Sequence, residues 1–360
     1  MRRPAPIIPG LVLAAAVACG DGAGPDGRPI SLDEGRGTLV SDPAEEAQGQ
    51  AVWSPDGESL YYLASSGDAV HVSRAAAGGG GSTVLDLGGA DLGEVIGHRF
   101  LSFVAVAPTG DAYVVASRDE TAARGVLRVS DGADPTWLSG VDDPVAVALA
   151  PGGEYLLYGT NLSTNRSQVD LWSYDMASGT STSFATGEPV AFSPDGAELL
   201  YVADDGTFQI ATLASGATRP EDLGLGGSSQ GAIRWTADGL QVLFSRYNFD
   251  RVGDDYYLRD VSAGTTALFY QESFDDDGNE VQAWSGEGGR MALWFQTCLE
   301  GDVQTCESFH SALYVVGVPS GAETWVAGVR DAQVRFASFS PDGGRVAYII
   351  SGQLYVSAVP

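Results

Sequence analysis

Asp254 and Asp255 stand side by side in a stretch, Arg246–Asp255, that also carries Tyr247, Phe249 and Arg251. Carboxylates so placed can hold a cation, meet a basic partner, or serve a hydrolase or lyase. Similar residue types recur in Arg118, Asp119 and Glu120, and Arg166 adds a further cation. The chain has 47 acidic residues, so abundance makes any one carboxylate pair uninformative by itself. Its 19 basic residues are all arginine. These can fork to a carboxylate or stack on an aromatic ring, but they cannot act as bases.

Other chemistry-bearing motifs are weaker. His71, His98 and His310 lie far apart, and no two have metal-ligand spacing. The acidic run Phe274–Glu280 fails the twelve-residue calcium-loop spacing, because position 12 counted from Ser273 is Trp284. Gly227-Ser228-Ser229-Gln230-Gly231 matches G-x-S-x-G, but a strand-like run follows it where a nucleophile elbow needs a helix. Without lysine there is no P-loop, Schiff base or kinase-type phosphate anchor. A formal charge of −28 opposes nucleic-acid binding. No nucleophile, base and orienting group converge in sequence, so a non-enzymatic protein without a cofactor is expected.

The N-terminus reads as an export signal. Met1-Arg2-Arg3 is a positive n-region and Ile7 to Val17 an apolar h-region, too short to span a membrane. Ala16-Val17-Ala18 suits an ordinary signal peptidase. With Cys19 directly after, the same residues resemble a bacterial lipobox, which implies lipidation of Cys19. A Gly/Asp/Pro-rich tether follows. Three cysteines in an exported chain leave one odd. If Cys19 is acylated, Cys298 and Cys306 are free to form a disulfide that shapes a polar loop. The alternative, a metal site of Cys298, Cys306 and His310, has three ligands rather than four.

A short motif organises everything after the tether. It runs as an apolar stretch, then Ser-Pro-Asp-Gly or a relative, then a second apolar stretch. The seven copies end on Gly57, Gly110, Gly153, Gly196, Gly239, Gly288 and Gly343. Proline pre-sets one turn dihedral, aspartate bonds back to local backbone, and glycine supplies a positive φ. Each copy is therefore a hairpin tip. The aromatic before it (Trp53, Phe192, Trp235, Trp284 or Phe339) should end an inner strand. A period of about 48 residues is in the range of propeller blades.

The W/F-S-P-D-G tip resembles the TolB-type, WD-like β-propeller repeat, over residues from about 51 to 360. The resemblance implies an all-β fold: a seven-bladed propeller of four-stranded antiparallel blades, with six or eight blades as the alternatives. The last repeat supplies only three strands, so Gly37–Ser41 is expected to close the ring. The expected organisation is a signal peptide over 1–18, an anchored Cys and tether over 19–35, and a propeller over 36–360.

The longest insertions fall between second and third strands, or between blades, which a meander places on one face. Such a face usually binds. TolB-like propellers are periplasmic interaction platforms. By that resemblance the chain is expected to be a monomeric envelope lipoprotein, held to a bacterial membrane only by its lipid. It would bind another envelope protein through Arg118, Asp119, Glu120, Arg166, Tyr247, Phe249, Arg251, Asp254 and Asp255. A propeller binding a small ligand, calcium or glycan is the alternative, and a carboxylate-dependent hydrolase or lyase the third.

Overall fold

In the computed structural model, residues 37–359 are described except 68, 93–103, 119–123, 162–168, 194, 222–233, 236–240, 249–252, 261–262, 272–277, 286–288 and 301–307. For 234–235, 247, 253, 278–282, 284 and 300 the backbone alone is described. Every sheet is antiparallel, and among the described residues there is no helix. The first sheet is β2 (Glu46–Trp53), β3 (Ser59–Ser66), β4 (Ala69–Ala76) and β5 (Ser82–Val84). The second is β6 (Val104–Val106), β7 (Ala112–Ser117), β8 (Arg124–Val129) and β9 (Thr136–Trp137).

A seven-stranded sheet follows: β10 (Ala146–Leu149), β11 (Tyr155–Thr160), β12 (Val169–Asp175), β13 (Thr180–Phe192), β14 (Glu198–Ala203), β15 (Phe208–Thr212) and β16 (Ala217–Pro220). The next is β17 (Arg234–Trp235), β18 (Gln241–Asn248), β19 (Gly253–Asp260) and β20 (Thr265–Gln271). Then come β21 (Gly278–Trp284), β22 (Arg290–Glu300), β23 (Ser308–Gly317) and β24 (Glu323–Arg330). The last sheet joins β25 (Val334–Phe339), β26 (Arg345–Ile350) and β27 (Gln353–Ala358) to β1 (Thr38–Leu39). Thr38 pairs with Val356 and Leu39 with Tyr355.

The hairpin tips form for the reason the motif suggests. The Ser54 hydroxyl donates to Asp56 Oδ1 (2.5 Å) and accepts the Ser59 amide (2.9 Å), while the Glu58 amide donates to Asp56 Oδ1 (2.9 Å). Ser193/Asp195 and Ser340/Asp342 repeat this circuit, with hydroxyl-to-carboxylate distances of 2.7 and 2.6 Å. Those hydrogen bonds hold all three aspartates below the usual carboxylate range. Gly57, Gly196 and Gly343 sit at φ of 70°, 70° and 66°. All five motif aromatics are the last residue of an inner strand. One difference from the sequence reading is β13. Its first half pairs with β12 and its second half with β14, so one 13-residue strand serves two repeats. Thr180–Phe192 has no glycine-bearing turn to break it except Gly187, which stays in the ladder.

The cores lie between sheets. Leu171 and Leu157 pack with Leu199 and Tyr201, Leu200 and Ile210 with Phe244, and Leu243 and Tyr256 with Met291 and Leu293. Leu313 and Val315 pack with Val346 and Tyr348. The last sheet then meets the first: Ile349 and Leu354 share a core with Leu60, Tyr62 and Val40. Trp53 Nε1 donates to Ser338 O (3.0 Å), and the Arg345 guanidinium donates to Gly57 O (2.6 Å) and covers the Trp53 ring. The segment joining β1 to β2 is fixed through Glu45. Its carboxylate accepts from Ser82 (2.8 Å), Tyr62, Ser73 and His71 (3.1 Å each). Burial alone would raise the Glu45 carboxyl, but these four hydrogen bonds outweigh it and hold the group low.

Candidate functional site

The two ends of the sheets differ. Every first-to-second connection is five residues long: 54–58, 107–111, 150–154, 193–197, 236–240, 285–289 and 340–344. Second-to-third connections run from two residues (351–352) to eight (161–168). Constant turns are what an architecture needs, and variable loops at one end are where a fold places recognition. Two insertions are partly strand. Arg246–Asn248 belongs to β18 and Gly253–Asp255 to β19, so the loop shrinks to 249–252. Thr297–Glu300 extends β22 and Ser308–His310 extends β23. These adjacent hairpins are longer than the six-residue pair β26 and β27.

Asp254 and Asp255 open β19 at this end, but they do not act as a pair. Successive strand residues face opposite ways. Asp255 lies on the face of Phe244 and Tyr257, whose rings stack at 5.3 Å. It is 4% exposed and accepts from Asn248 Nδ2 (2.9 Å), Gln271 Nε2 (3.1 Å) and the Tyr257 hydroxyl (3.3 Å). It ties β18, β19 and β20 together at the hairpin base. Asp254 lies on the other face, with Tyr256. Burial, and secondarily the Asp255 charge, push its carboxyl up. Such a shift at a loop-bearing end marks a group suited to proton transfer or ligand contact.

Arg118 follows β7 at the same end. It donates to Val141 O (3.0 Å) and lies over the Trp137 ring, 5.6 Å from its centroid. Tyr247 is in β18; its side chain, and Asp119, Glu120, Arg166, Phe249, Arg251, Cys19 and Cys306, lie outside the described residues. So do Ser229 and most of the acidic run before Gly278. Cys298 is disulfide-bonded and sits in β22 rather than in a loop. It pairs across the ladder with Phe309, so His310 faces the opposite side of the hairpin, which separates two members of the alternative metal set.

Residues overlooked in the sequence lie on β25. Its start is at the variable end, where one extra residue bulges between Arg335 and Ser338. Phe336 adopts φ 57° there and stays 41% exposed. An exposed aromatic in the left-handed region is a strained placement of the kind found at ligand sites. Arg335 lies over the Trp294 ring at 5.9 Å, and no carboxylate among the described residues pairs with it. In so acidic a chain that is a departure from Arg74, Arg128 and Arg219, each of which has its own acid. Nothing in the sequence distinguishes Arg335 from those three.

No family model matches the chain, and no curated protein matches it. Solved structures do. An oligogalacturonate lyase in complex with manganese is similar at TM-score 0.63 and 13% identity, over 92% of this chain and 96% of that one. An oligogalacturonate lyase from Vibrio parahaemolyticus gives 0.60 and 10%, over 89% and 93%. The fold is a β-propeller. A protein from Agrobacterium tumefaciens assigned to TolB is similar at TM-score 0.44 and 13% identity, over 87% and 90%.

These likenesses correct one expectation. The resemblance of the chain's repeat to interaction platforms, and the lack of converging catalytic groups in the sequence, imply a non-enzymatic chain. Its similar structures include two enzymes with the same propeller fold, at identities of 13% and 10%. Blades bring together residues far apart in the chain, so convergence of catalytic groups along the sequence does not decide the matter. Among the described residues no three His, Cys, Asp or Glu side chains group to hold a metal.

Proposed function

We propose that this chain is an exported, lipid-anchored, seven-bladed propeller of TolB type, and that its variable end binds a protein partner of the bacterial envelope. The observation that carries the binding reading is the contrast between seven constant five-residue turns and the uneven loops opposite. Seven blades follow if β13 is counted in two of them, and β1 supplies the fourth strand of the last. The contact residues of this reading are Arg118, Asp254, Arg335 and Phe336, together with Asp119, Glu120, Arg166, Tyr247, Phe249 and Arg251. Asp255 holds the hairpin beneath them. Cys298 pairs with Cys306, and Cys19 carries the lipid.

Photo-cross-linking from position 118 or 336 in the native cells tests the partner. One recurring adduct, absent when the probe sits at Thr109 on the constant end, is the expected result. Random adducts from both ends would end the reading. Cys19→Ser should move the protein from the membrane fraction to the soluble one.

The raised Asp254 carboxyl favours a second reading, proton transfer on an acidic carbohydrate such as the similar lyases are named for. Incubation with oligogalacturonate would then yield an unsaturated, ultraviolet-absorbing end. The product should vanish in Asp254→Asn. Absence of product with the wild-type chain rejects this reading and leaves the first intact.

A further inference from the structure

Left-handed backbone positions divide between the two ends of the sheets. At the constant end, among the described residues, every one is a glycine. The other residue types in that region are Asp143 (φ 48°), Asn161 (53°), Asp331 (55°), Phe336 (57°) and Ser351 (49°), and all lie at the variable end. Aspartate and asparagine enter the region with the help of a local hydrogen bond, which phenylalanine cannot make. Phe336 is therefore the placement that local preference least explains.

The surroundings of Phe336 hold it in place. The neighbouring inner strand, β2, has its own bulge between Gln48 and Val52, and Gln50 Nε2 donates to Ala337 O (2.5 Å), which ties the two bulged strands together. A bulge breaks strict alternation and re-aims side chains, and here the consecutive Arg335 and Phe336 are both exposed. The Ser311 hydroxyl, fully buried, accepts both Trp294 Nε1 (2.7 Å) and the Val334 amide (3.0 Å). One hydroxyl thus fixes the indole ring and the start of β25, and the Arg335 guanidinium lies over that ring. Asp331 is the nearest acid along the chain, and it is engaged elsewhere. It lies 3.6 Å from Arg330 and accepts the Phe309 amide (3.1 Å).

We propose that the β25 bulge receives a carboxylate of the partner, from an aspartate or glutamate that stands beside an apolar side chain in the bound segment. The proposal rests on the reading that the variable end binds a protein. The guanidinium, laid flat on Trp294, offers its N–H fork to the carboxylate, and little side-chain freedom remains to be lost on binding. The apolar neighbour covers the Phe336 ring. A basic segment would meet Arg335 as a like charge. The formal charge of −28 does not reverse this preference, because charges beyond about 8–10 Å are largely screened at physiological ionic strength.

The test uses the full chain in its native cells, with benzoylphenylalanine at position 336 or, separately, at position 118. Mass spectrometry of the 336 adduct locates the attachment point on the partner. An Asp or Glu within about three residues of that point is expected, since each extended residue spans only ~3.5 Å. Arg335→Glu should lower the yield of the 336 adduct at least about tenfold, as loss of a charge-assisted contact does. Arg335→Gln should do the same with an unchanged melting temperature, because the side chain is exposed. Arg219→Gln, whose arginine pairs with Glu198, should leave the yield unchanged. No adduct from either position would overturn this proposal together with the reading beneath it. An adduct from 118 alone would overturn this proposal and spare that reading. So would a 336 attachment point flanked only by basic or neutral residues, an attachment to a glycan, or full yield in Arg335→Glu.

Discussion

At the scale of single residues, Glu45 and Asp254 pull the pH dependence of stability in opposite directions. Glu45 is lowered in the folded state, so its contribution is present above the usual carboxylate range and lost as pH falls through its folded value. Glu45→Gln should cost about 1–3 kcal/mol at pH 7, because four donors lose a charged acceptor. The difference between the variant and wild type should narrow in acid, and denaturant titration across pH checks both statements. Asp254 is raised, so its contribution is greatest below the usual carboxylate range and declines as pH rises through the folded value. Asp254→Asn should therefore match or exceed wild type in melting temperature at pH 8 and lose its advantage near pH 3. A variant clearly less stable than wild type at pH 8 would show that Asp254 supports the fold. Asp254 stands out in the sequence by its place in an insertion, but Glu45 does not. Glu45 reaches His71 and Ser82 across gaps of 26 and 37 residues, which no local pattern reports.

At the scale of elements the turn motif was the readable part, because its physics is local. Ser, Asp and Gly close a circuit within five residues, and each of the five aromatics before a tip ends its strand. Gly196 shows what the last position requires. It sits at φ 70°, and an added Cβ would come within 3.2 Å of the Ala150 Cβ and 3.3 Å of Pro151. Gly196→Ala should cost about 1–2 kcal/mol from backbone strain alone. Gly206, with φ 79° and open space around it, should cost only the strain, so the pair separates dihedral from packing in one thermal series. Less readable was where an insertion stops being loop. Tyr247, Asp254 and Asp255 look like loop residues by composition, yet the ladder continues through them because each has a cross-strand partner. That extension also turns Asp254 and Asp255 to opposite faces, a parity that follows from the strand and not from adjacency.

For the whole molecule the question is how the last sheet is completed. β25, β26 and β27 leave the outer edge of β27 unpaired, and an open edge invites association with other chains. Two residues of β1 cover it, which is a short ladder. Side chains supplement it. The Ser41 hydroxyl accepts the Leu354 amide (3.0 Å) and donates to Gln353 Oε1 (3.2 Å), Gln353 Nε2 reaches Glu45 O (2.8 Å), and the Gly37 amide reaches the Tyr348 hydroxyl (2.8 Å). Val40, fully buried, enters the core shared by Leu354, Val356, Leu60 and Tyr62. Deleting residues 36–42 removes the strand and this anchor together. The expected outcome is a sharp fall in melting temperature and, at high concentration, association through the exposed β27 edge in sedimentation. Ser41→Ala, which spares the strand, should lose only about 1 kcal/mol and remain monomeric. An unchanged melting temperature in the deletion would show that the contacts of Trp53 with Ser338 and Arg345 with Gly57 hold the last sheet to the first without β1.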